Sequence, residues 1–121
     1  MQLIPTPKAP ASLPPYEIKT RDADLLEKAI GADLLVALHD RGEKFDSIAF
    51  SKRLERLQDG SGGRMTMVIG GPFGLDERIL NRASLVLSLS ELTISHQLTR
   101  LVLLEQLYRG FSILHGTAYH K

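Results

Sequence analysis

The 121-residue sequence contains no cysteine and no tryptophan. The first absence excludes disulfides, thiolate metal sites and a thiol nucleophile. No run approaches the roughly 18 consecutive apolar residues of a membrane helix, and no signal-peptide pattern opens the chain. We therefore expect a soluble, cytoplasmic protein. Charge of either sign is nearly balanced, at a formal net of +1, which announces no nucleic-acid binder by itself. A chain of this length makes one domain, residues 1–121, able to bury its own core.

Proline is scarce after the start. Five of the six prolines fall at positions 5, 7, 10, 14 and 15. That density makes residues 1–20 a proline-rich segment in which only Gln2 to Ile4 can pair in a sheet. From Arg21 to Ile30, Leu25, Leu26, Ala29 and Ile30 recur at helical spacing, and Gly31 is placed to end that helix. Leu34 to Leu38 reads as a buried parallel strand, broken by His39-Asp40-Arg41-Gly42. Phe45 to Leu57 reads as an amphipathic helix with Ile48, Leu54 and Leu57 inward, capped by Asp46 or Ser47. Gly60 to Gly63 is a loop, Met65 to Ile69 a strand, and Asp76 to Ala83 a helix. Leu85 to Leu89 is the next strand. A last helix runs from about Leu98 to Leu114, capped by Ser95. Alternating strands and helices imply an α/β fold around a parallel sheet.

The last helix is apolar almost all the way round. Leu98, Leu101, Val102 and Tyr108 share one side, while Leu103, Leu104, Leu107, Phe111 and Leu114 cover the other. A helix apolar on every face needs burial on every face, which points to a second subunit. A central core helix is the alternative.

Acid is scarce beyond Glu91, where only Glu105 stands against Arg100, Arg109, Lys121 and three of the four histidines. Such a basic face can hold phosphate, although most are simply solvated. Glu105 and Arg109 are four apart on one helical side. His115 and His120 lack partners at metal-ligand spacing, so no metal is expected. The segment Gly70-Gly71-Pro72-Phe73-Gly74 is neither a phosphate-binding Walker loop nor a dinucleotide fingerprint. Paired glycines after a strand let backbone approach a flat ligand closely, or else serve a tight turn. His39 and Asp40 follow a strand and would line the same pocket.

Three segments carry a more specific signal: Ile69-Gly70-Gly71-Pro72-Phe73-Gly74-Leu75, the stretch from Leu87 to Leu114, and the closing Tyr119-His120-Lys121. Together they resemble the RlmH family of bacterial 23S rRNA (pseudouridine-N3) methyltransferases, from Leu34 to Lys121. That family belongs to the SPOUT class, so the resemblance implies a C-terminal trefoil knot, an exception to the rule against threaded chains. It also implies S-adenosylmethionine held among strand-end loops, by Leu38, by Gly70 and Gly71, and by Leu89, Ser90, Glu91, Leu92, Thr93 and Ile94. Tyr119, His120, Arg109 and Glu105 become the catalytic candidates, and His96, Arg100 and Lys121 the candidate contacts to 23S rRNA within the ribosome. A homodimer packed through the knot helices is implied as well. Where the family has proline-histidine-proline, this chain has Ser95-His96-Gln97, a change that should keep the turn. The family's first strand and helix have no counterpart here, so the fold is expected to be N-terminally shortened, with strand edges uncovered. The alternative reading is a catalytically inactive remnant serving dimerisation or ribosome binding.

Overall fold

The computed structural model describes residues 2–4, 14–70, 74–90, 92, 94–117, 119 and 120. The elements run β1 (Gln2–Ile4), α1 (Pro15–Ile30), β2 (Leu34–Glu43), α2 (Ser47–Ser61), β3 (Met65–Ile69), α3 (Glu77–Arg82), β4 (Leu85–Leu87) and α4 (His96–Leu114). The sheet has the order β1-β3-β2-β4, and every pairing is parallel, for example Val36 with both Met67 and Leu85. The uncovered edges expected from the shortened start are not found at β3. Gln2–Ile4 pairs along one side of it and β2 along the other.

Side chains on a strand alternate between faces, and β2 uses both. Val36 and Leu38 join a core with Phe50, Leu54 and Leu57 of α2 and Leu103 and Leu107 of α4. Leu35 and Ala37 face the other way, toward Ala23, Leu26 and Ile30 of α1 and Ile79 of α3. The result is three layers, with helices on both faces of the sheet. That is the arrangement a parallel sheet requires.

Several boundaries differ from the sequence reading, each for a local reason. The first helix starts at Pro15, not Arg21. Proline is well suited to a first helical position, where its missing N–H would be unpaired anyway. His39 to Gly42 does not break β2, which continues to Glu43 through a shift in register against Leu87. Gly42 permits that shift, because a Cβ there would lie 2.6 Å from the Val86 carbonyl oxygen. In α2 the cap is Asp46, whose Oδ1 accepts the Ala49 N–H at 2.7 Å. That helix runs on through Gly60 to Ser61 and ends at Gly62 in the left-handed region, φ +61°. Ile48, expected inside, is 52% exposed. The last strand is shorter than expected, ending at Leu87. Helix α4 begins at His96, with Ser95 as its cap accepting from the Leu98 N–H.

α4 is not buried on all sides within its own chain. Leu103 and Leu107 sit in the core, whereas Leu98, Leu101, Leu104 and Tyr108 are exposed. Leu104 therefore belongs to the outer face, not with Leu103. Helices α2 and α4 approach closely at Gly110, where a Cβ would fall 2.7 Å from Leu54 Cδ1.

Candidate active site

The carboxyl ends of the parallel strands, where open α/β sheets bind ligands, meet the middle of α4. Leu38 turns its side chain into the core, so it offers a ligand only backbone. Gly70 is buried, and a Cβ there would meet Leu75 Cγ at 2.9 Å and the Gly74 carbonyl carbon at 3.0 Å. Its own loop therefore demands glycine, and the space beside its Cα is filled by protein. Gly74 completes that turn at φ +81°.

After β4 the hydroxyls shape the loop. Ser88 Oγ donates to the Ser90 carbonyl at 2.9 Å, and Ser90 Oγ accepts the Leu92 N–H at 2.9 Å. The Leu92 side chain is 74% exposed, while Leu89 and Ile94 are half-buried. A cavity of about 90 Å³ opens here, walled by Phe45, Phe50, Leu87, Leu89 and Val102 with Ser88 and Gln106 as polar contributors. Gly71, Glu91 and Thr93 lie outside the described residues.

The second part of the site is the chain's tail folded back on α4. Arg109 donates from Nη2 (2.8 Å) and Nε (3.2 Å) to Oε1 of Glu105. The Tyr119 hydroxyl donates to that same oxygen at 3.0 Å. Arg109 Nη1 lies 3.0 Å from Nδ1 of His120. Arginine only donates, so His120 accepts at Nδ1 and carries its ring proton on Nε2. Tyr119 stacks edge-on against Tyr108, ring centres 4.6 Å apart, beneath the Arg109 guanidinium at 4.9 Å. The four catalytic candidates thus form one cluster. Beside it runs a cleft of about 380 Å³ lined by Tyr108, Phe111, Ser112, His115, Thr117 and Tyr119.

The cluster settles its own protonation. The hydrogen bonds from Arg109, and then that from Tyr119, hold the Glu105 carboxyl below its ordinary range. The bond to Glu105 raises the Tyr119 phenol above its usual value, and that to Arg109 keeps the guanidinium charged. At neutral pH the site is a carboxylate, a cation and an un-ionised phenol.

A family model described as "Predicted SPOUT methyltransferase" matches residues 2–120. The chain belongs to the SPOUT methyltransferase family. Its relatives named "Ribosomal RNA large subunit methyltransferase H" include one from Acetivibrio thermocellus, 44% identical over 112 residues, covering 92% of this chain and 70% of that protein. Another, from Maridesulfovibrio salexigens, is 41% identical over 113 residues, covering 93% of this chain and 72% of the relative. One from Bacteroides fragilis is 35% identical over 121 residues, covering 99% and 77%.

In this SPOUT chain the remaining candidates lie apart from the cluster. Arg100 is exposed and stands nine residues before Arg109, about 14 Å along the axis at 1.5 Å per residue. Only the backbone of His96 is described, and Lys121 lies outside the described residues. His39 and Asp40 sit on the extension of β2, where Nδ1 of His39 accepts the Arg41 N–H at 3.0 Å. Neither lines the cavity at the β4 end. Sequence reasoning missed Phe45, Val102 and Gln106 as cavity walls. Gln106, an amide within a leucine-rich helix and adjacent to Glu105, was the available signal. Among the described residues no group of three or more His, Asp or Glu could hold a metal, and no helix is long and apolar enough to cross a membrane.

Proposed function

We propose that this protein is a cytoplasmic S-adenosylmethionine-dependent methyltransferase of large-subunit rRNA, acting as a homodimer on N3 of a pseudouridine in 23S rRNA. The observation that carries the reading is the closure of Tyr119 and His120 onto Glu105 and Arg109, in a chain of the SPOUT family. The trefoil knot expected from the resemblance belongs to the same proposal. Nothing in the fold or in the comparisons favours an inactive remnant.

The strand-end residues fit a neutral, flat heterocycle. The cavity is lined by five apolar side chains together with polar groups that include one hydroxyl and one amide, and none of its lining residues is ionisable. A volume of about 90 Å³ takes only part of a nucleoside-sized ligand, since whole ligand pockets run to roughly 300 Å³ or more. The rest would rest on the backbones of Leu38, Gly70, Ser90, Leu92 and Ile94, together with Gly71, Glu91 and Thr93. The cofactor supplies an activated methyl group on sulfur; the chain's own residues supply position and charge.

Displacement at N3 needs the imide proton removed or its anion stabilised. Glu105 is held below its ordinary range, and a weakened base is ill suited to take that proton. Tyr119 keeps its own proton. Arg109 and the His120 Nε2–H are donors and cation in place, so the site favours stabilising the imide anion while the proton leaves to solvent. Arg100, exposed on α4, is the described cation we assign to RNA contact, and the family resemblance adds His96 and Lys121 as candidates. The exposed row Leu98, Leu101, Leu104 and Tyr108 is the face we assign to the second subunit. Methyl transfer from tritiated cofactor to ribosomes lacking the modification tests the reading. Label at N3 of a large-subunit pseudouridine supports it; cofactor binding without any labelled rRNA rejects it.

A further inference from the structure

Gln106 lies between the two halves of the site and belongs to neither by motif. Its Oε1 accepts from Ser47 Oγ, at the start of α2, at 3.2 Å across 59 residues of sequence. Its Nε2 donates to Oε2 of Glu105 at 2.7 Å. The same side chain forms part of the cavity wall with Leu89 and Phe45. We propose that Gln106 is a positioning residue that ties the strand-end cavity to the tail cluster through the hydrogen-bond chain Ser47–Gln106–Glu105–Tyr119.

The division of labour at Glu105 carries the inference. Oε1 is loaded with two N–H donors of Arg109 and the Tyr119 hydroxyl. The bond to Oε2 is Gln106's. The terminal torsion of a glutamate is broad, and the Gln106 bond to Oε2 adds to the three bonds on Oε1 a restraint from the opposite side of the carboxylate plane. The orientation of Gln106 is fixed in turn by Ser47, which can donate to the amide oxygen only when Nε2 points at Glu105. A ligand entering the cavity touches that amide. Its arrival therefore bears on the position of Glu105, and through Glu105 on the tail. This coupling deepens the functional reading above and rests on it for the identity of the ligand.

The test uses the full-length protein with Gln106→Met, which keeps length and helix propensity but removes both bonds, and Ser47→Ala, which releases only the far end. Tyrosine ionisation is followed by its ultraviolet absorbance, with Tyr119→Phe subtracted to isolate Tyr119 from Tyr16 and Tyr108. Among the described residues the titratable groups around Tyr119 are Glu105, Arg109 and Tyr108, His115 in the shared cleft and His120 on Arg109, and none is altered by either substitution. We expect Tyr119 to titrate at lower pH in Gln106→Met, and to shift the same way by less in Ser47→Ala. Methyl transfer should show kcat about tenfold lower in Gln106→Met, the scale of one hydrogen bond to a charged group. In Ser47→Ala, which leaves the amide in the cavity wall, kcat should fall by less with KM for the cofactor unchanged. An unshifted Tyr119 in folded Gln106→Met overturns the proposal. Should that variant not fold, an unshifted Tyr119 in Ser47→Ala does so. A parent protein that methylates no rRNA would reject the functional reading, while the tyrosine titration would still decide the link.

Discussion

The strand-end loops and the tail reach the same site by opposite means. At the end of β3 the shape comes from backbone, with Gly70 pressed under Leu75 and Gly74, and after β4 from serine hydroxyls that bond within their own loop. At the tail the backbone makes only the turn, with Gly116 at φ +70° and the Gly116 and Thr117 N–H groups bonded to the Ile113 and Ser112 carbonyls, and side chains do the docking. Tyr119 and His120 lie beyond any helix and are tied to α4 by Glu105 and Arg109. The described loop contacts are thus packing and hydroxyl bonds that involve no ionising group, while the tail is docked by charge-assisted bonds that can be broken one at a time.

Breaking the comparison at the tail should have the largest effect. Removing residues 119–121 leaves both hydrophobic cores intact, because neither Tyr119 nor His120 belongs to them. Folding and cofactor binding should persist while methyl transfer to ribosomes is lost. Full activity in the truncated protein would reduce the tail to an ordinary chain end. Next in size is the contrast within α4. Leu103 is fully buried in the chain's own core, so Leu103→Ala should cost about 2 to 5 kcal/mol in denaturant unfolding. Leu101, 64% exposed, should tolerate Leu101→Asp without loss of fold but should shift light scattering from dimer to monomer. A charge at Leu103 or Leu107 would instead damage the core itself. A parent protein that scatters as a monomer would remove the outer face from the argument.

The loop effect is smaller. Gly70→Ala adds one methyl 2.9 Å from Leu75 Cγ, an overpacking of the kind that costs roughly 1 to 3 kcal/mol. Cofactor affinity, measured by calorimetry, should weaken because the loop moves. Unchanged stability and affinity would show that Leu75 swings aside freely and that the glycine is dispensable.

The same contrast explains what could be read in advance. Backbone-determined features announce themselves through residue type: Gly31 and Ser95 bound their helices as expected, and Met65–Ile69 forms the strand its apolar run suggested. The extension of β2 to Glu43 was hidden, since His39-Asp40-Arg41-Gly42 looks like a turn until Val86 is seen packed on Gly42. Ile48 and Leu104 were misplaced because an apolar residue on a helix does not say which neighbour covers it. Glu105, Arg109, Tyr119 and His120 were legible as a motif, although only folding back of the tail brings Tyr119 to Glu105 across 14 residues. Gln106 stood out as an amide among leucines, but its role was not legible because its partner Ser47 lies 59 residues away.

Protonation sharpens the contrast with the smallest perturbation. Glu105 has a folded value below its ordinary one. Its stabilising contribution is therefore complete above the ordinary glutamate value of about 4.3, and is lost as pH falls through the lowered folded value. Tyr119 has a folded value above its ordinary one. Its contribution is complete below the ordinary tyrosine value of about 10, and is lost as pH rises through the raised folded value. The tail should stay docked across the neutral range and release at both extremes, whereas the serine-held loop after β4 has no ionising group in its hydroxyl bonds and should follow neither transition. Ring-labelled tyrosine in a proton–carbon correlation spectrum reads the tail directly. We expect the Tyr119 signal to move at the acid end with Glu105 and at the alkaline end only beyond the ordinary tyrosine range, with amide signals of Ser88 and Ser90 unmoved until global unfolding. A Tyr119 ring that ionises at the ordinary value in the folded protein would mean that its hydroxyl is not held by Glu105, and the side-chain-built half of the site would lose its anchor.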